Sequence, residues 1–436
     1  MARHLPRKQL VAAFLLWFSY DQCQALLPVD RQAHTSGLRR TIRQRCLHHG
    51  QTHLGSYSSS TNNNNNNEEE EEDASNKRNS HTPLFHQLHG IERIFALSDL
   101  HTDHVDNLKW LQSRMKHGDF SDKDLIVVAG DISHEYDRLE KSLQAMRDTG
   151  AHVFFVAGNH EAWLTKQDSE QALTSIQKLD RVYETCRQAG VWTEPLLVSG
   201  PHSTWVLPLQ SWYDGSLTFN QELCRDFGRW PWMDFVRCRW PIDDFPPASK
   251  ESGNGKIPMG LTEYFLQGNR DIMAGLDLST AEAVLTVSHF LPNVQSLPDW
   301  ADLNSPVFLL DEWLDHGAAG MSAKFAKVAG SALLDEQIRS LTAFSNRQIH
   351  IFGHSHRPKD FEFGGIRYIH NPLGKPRERQ MHMVSPTADF QLVWTTATGE
   401  AAGETMLRYW DEKGGGKEAL WARLEKVRPG RYSRKT

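Results

Sequence analysis

Cysteine is scarce in this chain of 436 residues, and its positions lack metal-binding spacing. Cys23 and Cys46 lie near the amino terminus, which leaves Cys186, Cys224 and Cys238, an odd number without a CxxC pair. The pattern argues against a small disulfide-stapled fold and against a cysteine zinc site. We expect the thiols to be free.

Excess positive charge and long apolar runs are also missing. The net charge of -6 argues against a general nucleic-acid binder, because such proteins carry an excess of positive charge. The apolar run from Leu10 to Phe18 is too short to cross a bilayer, so we expect no stable membrane span. A chain of this length with ordinary apolar content can instead bury a large core.

The amino-terminal region has the composition of a targeting sequence. In residues 1–30, basic residues precede the apolar run, which resembles a secretory-type signal; an ordinary buried helix is the alternative. Residues 31–60 mix arginines with Ser, Thr and His and contain no acidic residue, as organellar transit peptides do. Together the two segments resemble the bipartite presequences of algae with secondary plastids, although Leu26 stands where cleavage before an aromatic residue is usual. Mitochondrial import and secretion are the alternative destinations.

The rest of the chain divides into a linker, one large domain and an extension. The low-complexity run "TNNNNNNEEEEED" cannot bury enough apolar surface to order itself, so we predict a disordered linker over residues 61–90. One large folded domain is predicted over 91–399, with an insertion at about 202–280. Residues 400–436 are predicted to form a carboxyl-terminal extension, and the sequence does not indicate its role.

Short apolar runs in the domain each end in polar residues. "RIFALSDLH" ends at Asp99 and His101, "DLIVVAGD" at Asp131, "HVFFVAGNHE" at Asn159, His160 and Glu161, "AVLTVSH" at His289, and "QIHIFGHSH" at His354 and His356. Such runs predict strands buried on both faces, with helices in the intervening 106–115 and 138–147. Ligands gather outside the carboxyl ends of strands in layered α/β folds, where these clusters fall.

The ordered motifs DLH, GD, GNHE, SH and GHSH resemble the signature of the calcineurin-like metallophosphoesterase superfamily. The resemblance runs from Asp99 to His356, and flanking strands extend it to about Val393. It implies an α/β fold: a layered β-sandwich of the metallophosphoesterase type, flanked by helices and carrying the insertion. It also implies a metal-dependent phosphoesterase, a hydrolase acting on ester bonds.

The resemblance further implies two divalent or trivalent metal ions and their ligands. Asp99, His101 and His356 would hold the first metal, Asp131 would bridge, and Asn159, His289 and His354 would hold the second. Imidazole and oxygen ligands suit Mn, Fe or Zn. Two metal ions about 3.5–4 Å apart would generate a hydroxide near neutral pH and neutralise phosphate charge, so no side-chain nucleophile is expected.

Three further residues have expected roles in the reaction. By resemblance, His160 would stabilise or protonate the leaving oxygen, and Glu161 would orient its ring. The sequence "GDISHEYDR" lacks the arginine that protein phosphatases carry in GDxVDRG, so Arg357 is the candidate for contacting substrate phosphate. We therefore expect a phosphorylated small molecule as substrate. A phosphodiesterase or nuclease with the same metal centre, and a non-catalytic scaffold, are the alternatives.

The predicted insertion, which begins with a plausible strand in "WVLPLQSWYDGS", is rich in tryptophan. Trp205, Trp212, Trp230, Trp232 and Trp240 fall within a short span that also contains arginines. Such residues could stack on a substrate ring and contact phosphate. The alternative is that they form the small core of a lid over the metal site. The usual burial of tryptophan favours this second interpretation.

Overall fold

The computed structural model describes residues 85–218, 232–241, 260–298, 321–344 and 347–415, together with 419, 422 and 426. The predicted signal-like and transit-like segments, most of the predicted linker and much of the insertion lie outside these residues. Within the described residues, none of the helices combines the length and apolar character needed to span a membrane.

Twelve strands occur in the described residues. They are β1 (His86–Leu88), β2 (Arg93–Leu97), β3 (Asp124–Ala129), β4 (His152–Val156), β5 (Leu196–Val198), β6 (Thr204–Pro208), β7 (Ala283–Val287), β8 (Arg347–Phe352), β9 (Lys359–Phe363), β10 (Ile366–His370), β11 (Gln391–Thr395) and β12 (Gly399–Glu400).

The α-helices of the same residues connect these strands. They are α1 (Val105–Met115), α2 (Tyr136–Arg147), α3 (Asn159–Ala162), α4 (Lys166–Glu170), α5 (Ser175–Gln188), α6 (Asp234–Arg237), α7 (Leu261–Met273), α8 (Met321–Ala329), α9 (Ala332–Ser340) and α10 (Pro376–Gln380).

The strands form two sheets. The larger has the order β1-β5-β6-β7-β8-β10-β9, and the smaller has the order β12-β11-β2-β3-β4. Strands β2, β3 and β4 run parallel to one another, as do β6, β7 and β8. Because neighbouring parallel strands end at the same edge of a sheet, the loops that follow them lie side by side.

One apolar core lies between the sheets. It contains Ala96 and Val127 of the smaller sheet and Leu285 and Ile349 of the larger, all fully buried. All six residues of β3 are buried, as expected for a run of Val, Ile and Leu covered on both faces. The α/β architecture with two sheets and flanking helices confirms the predicted fold class.

One strand lies in the predicted linker, and another lies within the bounds of the predicted insertion. Strand β1 falls inside residues 61–90, predicted as linker, and pairs in parallel with β5. Its three residues include one apolar side chain, so it carries no recognisable strand pattern. Strand β6 falls inside the predicted insertion at 202–280, yet it pairs with β5 and β7 in the larger sheet. The predicted insertion would therefore begin after Pro208.

The tryptophans of this region are packed within the protein. Trp205 lies on β6 and is buried, and Trp212 and Trp232 are buried as well. The ring of Trp240 lies 4.7 Å from that of Trp212, nearly perpendicular to it. Trp230 lies outside the described residues. The packing favours a structural core over a stacking surface for substrate.

A chain that begins at Thr82 should fold and bind metal as the full chain does. The compact unit Thr82–Thr436 contains every strand and helix described above. Thermal unfolding and metal content of the two chains would be compared. A control chain that begins at Ile91 lacks β1 and should unfold at a lower temperature, because β5 loses a paired neighbour. Insolubility or lost metal binding in the Thr82 chain would contradict this boundary.

Candidate metal centre

The side chains predicted to bind metal follow the carboxyl ends of parallel strands in both sheets. Asp99 and His101 follow β2, Asp131 follows β3, Asn159 follows β4, His289 follows β7, and His354 and His356 follow β8. All of these side chains are buried. The sandwich thus brings together residues that are far apart in the sequence.

Four of these residues form one cluster of potential metal ligands. Ligand atoms of Asp99, His101, Asp131 and His356 all lie within 4.8 Å of one another. The Nε2 atoms of His101 and His356 are 2.7 Å apart, and His356 Nε2 is 3.4 Å from Asp99 Oδ1. Two carboxylates and two imidazoles therefore converge on one point.

A second cluster shares Asp131 with the first. Ligand atoms of Asp131, His289 and His354 also lie within 4.8 Å of one another. The side-chain oxygen of Asn159 is 3.1 Å from both His289 Nε2 and His354 Nδ1. Asp131 therefore belongs to both clusters, which is where the sequence predicts a bridging carboxylate. The assignment of individual ligands to two metals stays a prediction.

Unusual backbone conformations are concentrated at this site. Seven non-glycine residues of the described chain have positive φ, and five are predicted ligands: Asp99, His101, Asp131, His354 and His356. Such conformations are uncommon for non-glycine residues and persist where the surrounding structure enforces them, often at functional sites. Here the five residues lie in the loops directly after β2, β3 and β8.

Two glycines of the motifs allow the loops to approach closely. A Cβ atom at Gly130 would overlap the ring of His289, and one at Gly158 would overlap the carboxylate of Asp131. Gly130 also has a φ of +80°, which an L side chain rarely adopts. Glycine before Asp131 and before Asn159 is thus a steric requirement of the two clusters.

Backbone carbonyls fix the tautomers of two histidines. His289 Nδ1 lies 2.9 Å from the Ala129 carbonyl oxygen, and His354 Nε2 lies 2.9 Å from that of Val328. Because a carbonyl oxygen only accepts, each of these nitrogens donates its proton. The lone pairs of His289 Nε2 and His354 Nδ1 then face Asn159 and the second cluster, as metal ligands require.

Carboxylate contacts orient the first cluster in the same way. Glu378 Oε2 lies 2.8 Å from His356 Nδ1, which leaves His356 Nε2 toward the cluster. Asp99 Oδ2 accepts from Ser98 Oγ at 2.5 Å and lies 3.1 Å from His370 Nε2. Neither Glu378 nor His370 belongs to a motif of the family resemblance.

The protonation of most donors suits metal ions. Burial lowers the pKa of His101 and His354 well below the usual value and that of His289 to about 4, so these rings are neutral and offer lone pairs. Burial also lowers the pKa of His356, but Glu378 and Asp99 together raise it to about 9. Metal binding at His356 would therefore release a proton.

The two aspartates differ in their electrostatics. Burial raises the pKa of Asp99, but the charge and hydrogen bonds of His356 and His370 hold it well below its usual range. Burial, Glu161 and Asp99 together raise the pKa of Asp131 well above its usual value. A cation beside Asp131 would relieve this repulsion, so the donor set fits bound metal.

His160 lies at the edge of the clusters, between two aspartates. Its Nδ1 is 3.6 Å from Asp103 Oδ2, and its Nε2 is 3.8 Å from Asp131 Oδ2. The Trp163 ring stacks on it, with centroids 3.7 Å apart. Asp103 also lies 3.1 Å from His134 Nδ1. Asp103 thus lies beside the Nδ1 side of the His160 ring, at a distance longer than a hydrogen bond.

The prediction that Glu161 orients the His160 ring is wrong. The Glu161 carboxylate accepts backbone N–H groups instead, from Gly158 at 2.7 Å, Ser133 at 2.9 Å and Asp131 at 3.0 Å. A fully buried carboxylate is stabilised by such donors, and the donors available here belong to the loops after β3 and β4. Glu161 therefore ties these loops together.

Arg357 is buried rather than exposed next to the GHSH motif. Its Nη1 donates to the His356 carbonyl oxygen at 2.6 Å, and 1% of the residue is exposed. A role in contacting substrate phosphate stays a prediction for this side chain.

The fold and the clusters agree with a family comparison. A model of the calcineurin-like phosphoesterases matches residues 92–358, more than half of the chain. The chain belongs to this family. It is a hydrolase that acts on phosphate esters, and the family is metal-dependent.

One mycobacterial protein resembles this phosphoesterase both in sequence and in structure. The acyl-carrier-protein phosphodiesterase PptH of Mycobacterium tuberculosis is 33% identical over 132 residues, which span 28% of this chain and 38% of the relative. The crystal structure of PptH, there called phosphopantetheinyl hydrolase, matches with a TM-score of 0.51 at 20% identity, covering 70% of this chain and 96% of that one. The protein TT1561 of Thermus thermophilus matches with a TM-score of 0.33 at 10% identity, over 65% of this chain and 89% of its own.

Replacing Asp131 with Asn tests the prediction that two metal ions share this carboxylate. The variant keeps the shape but loses the charge between the clusters, so we expect fewer than two bound metals and almost no hydrolysis. Because the pKa of Asp131 is raised in the metal-free fold, ionisation of this carboxyl destabilises that fold at pH values above the usual pKa of aspartate. At neutral pH the metal-free variant should therefore unfold at no lower temperature than the metal-free parent. Two retained metals with parental turnover would contradict the shared role.

Proposed function

We propose that the protein is a dinuclear metal-dependent phosphoesterase that hydrolyses its substrate with water as the nucleophile. The observation that carries this proposal is the membership of Asp131 in both clusters of potential ligands. A single carboxylate at the tip of β3, facing both groups of imidazoles, is what two adjacent cations need between them. Hydrolysis of a phosphate ester is the chemistry of the family.

The proposed ligands divide between two metals as the clusters do. The first metal would be held by Asp99, His101 and His356, the second by Asn159, His289 and His354, and both by Asp131. The donors suit Mn, Fe or Zn. When bound, such ions lower the pKa of water and neutralise charge on the phosphoryl oxygens.

The side chains around these ligands have their own roles in the proposed reaction. His160 would donate a hydrogen bond or a proton to the leaving oxygen, from a ring that stacks on Trp163 and lies 3.6 Å from Asp103. The buried Glu161 would keep the loops that carry Asp131 and Asn159 in register. Because water is the nucleophile, no covalent phospho-enzyme forms.

The proposed substrate is a phosphate ester of a small molecule. Protein phosphatases carry a phosphate-binding arginine in GDxVDRG, whereas "GDISHEYDR" places His134 beside Asp103. A second candidate is a phosphodiester between a prosthetic group and its carrier protein. The identity shared with a mycobacterial acyl-carrier-protein phosphodiesterase favours it.

A substrate screen distinguishes the two candidates. Purified protein with added Mn, Fe or Zn would be tested on aryl monoesters and diesters, on nucleotides and sugar phosphates, and on an acyl carrier protein loaded with phosphopantetheine. Preference for a free small phosphate ester supports the first candidate. Release of phosphopantetheine from the carrier protein, with weak action on free esters, supports the second. No hydrolysis with any metal and any substrate would contradict the proposed function.

Replacing His160 with Ala should separate metal binding from chemistry. Metal content should remain near parental, while turnover should fall by about 10²–10⁴-fold, the range for a lost general acid. The loss should be larger for alkyl esters than for nitrophenyl esters, whose leaving group needs no proton. His152→Ala, at the opposite end of β4, is the matched control and should leave both quantities near parental. An equal loss of metal would mean that His160 is a ligand.

A further inference from the structure

A buried carboxylate of the insertion contacts the proposed metal site. Asp234 is the first residue of α6 and is 2% exposed. Its Oδ1 accepts from Asn159 Nδ2 at 2.8 Å, across 75 positions of sequence. The insertion thus reaches one of the proposed metal ligands through a direct side-chain hydrogen bond.

The contact determines which end of the Asn159 amide faces the second cluster. A primary amide has an oxygen that accepts and a nitrogen that donates, and only the oxygen can bind a cation. Because the Asp234 carboxylate accepts, it holds the Asn159 nitrogen on its own side. The Asn159 oxygen is then left 3.1 Å from His289 Nε2 and from His354 Nδ1.

Two tryptophans hold the Asp234 carboxylate in place. Trp163 Nε1 donates to its Oδ1 at 2.6 Å, and Trp232 Nε1 donates to its Oδ2 at 2.8 Å. The Trp163 ring stacks on His160, and the Trp232 ring lies with its centroid 6.0 Å from that of His354. Both carboxylate oxygens are therefore fixed by groups that pack against the site.

We infer that Asp234 is a positioning residue that sets the affinity of the second metal subsite by orienting the Asn159 amide. The inference rests on the proposed dinuclear function. It makes the insertion part of the metal centre, because a segment outside the motifs of the family resemblance holds the ligand of one subsite. Partners one contact removed from a metal typically change its affinity by about 10–100-fold when they are mutated.

Metal titration of the metal-free full-length chain tests the inference. Titration with Mn²⁺ or Zn²⁺ would be followed by calorimetry in the parent and in Asp234→Ala. We expect affinity for the first metal to stay near parental and that for the second to fall by about 10–100-fold. Asp124→Ala is the matched control: Asp124 is also buried, but it lies at the start of β3 and is held by Arg93. This control should unfold at a lower temperature with parental affinity for both metals.

A second substitution separates orientation from simple packing. In the Asp234→Ala background, Asn159→Asp should restore much of the second affinity, because a carboxylate presents oxygen at either end. Asn159→Asp alone should not gain affinity, since it sets two carboxylates within hydrogen-bond distance. Should Asp234→Ala fail to fold, Asp234→Asn is the second variant. It keeps the volume but has one accepting oxygen instead of two, so it should also lower the affinity for the second metal.

The outcomes separate the inference from the proposed function. Parental affinity for both metals in Asp234→Ala, or no gain from Asn159→Asp in that background, would overturn the role of Asp234 and leave the dinuclear centre standing. A parent chain that binds only one metal would overturn the dinuclear proposal itself. Loss of both affinities to the same extent would also overturn the inference, because the effect would not be specific to the subsite of Asn159.

Discussion

Repulsion between buried carboxylates is the constraint around which this site is organised. Asp99 and Asp131 have ligand atoms within 4.8 Å of each other, and Glu161 adds a further buried carboxylate. Two like charges 4 Å apart repel by about 4 kcal/mol at an effective dielectric constant of 20. Backbone N–H groups stabilise Glu161, and histidines stabilise Asp99. Burial, Glu161 and Asp99 raise the pKa of Asp131 well above its usual value, and the two proposed cations would compensate its charge.

The sandwich sustains this arrangement by placing strained residues at the ends of rigid strands. Five of the proposed ligands have positive φ, a conformation that costs on the order of 1–3 kcal/mol for each residue. Strands β3 and β7 are buried along their whole length, so their ends cannot relax independently. Outer contacts complete the support: Glu378 orients His356, and backbone carbonyls orient His289 and His354. The geometry of the candidate metal centre therefore depends on the packing of both sheets.

Sequence reasoning succeeded where the pattern was local and repeated. Each apolar run followed by a polar cluster predicted a buried strand with a side chain at its carboxyl end, and the structure brings those side chains together. It failed where a single polar residue gains its partner only through the fold. Asp103 stands in a turn outside the motifs of the family resemblance, and Asp234 lies 75 positions from Asn159 in a segment without a motif. Glu161 was given the wrong partner, because sequence adjacency to His160 says nothing about which backbone N–H groups surround a carboxylate.

Anomalous diffraction from crystals of the metal-loaded protein would test the central claim most directly. The account predicts two metal peaks about 3.5–4 Å apart, one on each side of the Asp131 carboxylate. One peak should lie among Asp99, His101 and His356, and the other beside Asn159, His289 and His354. A single peak, or two peaks of which one lies away from Asp131, would contradict the account.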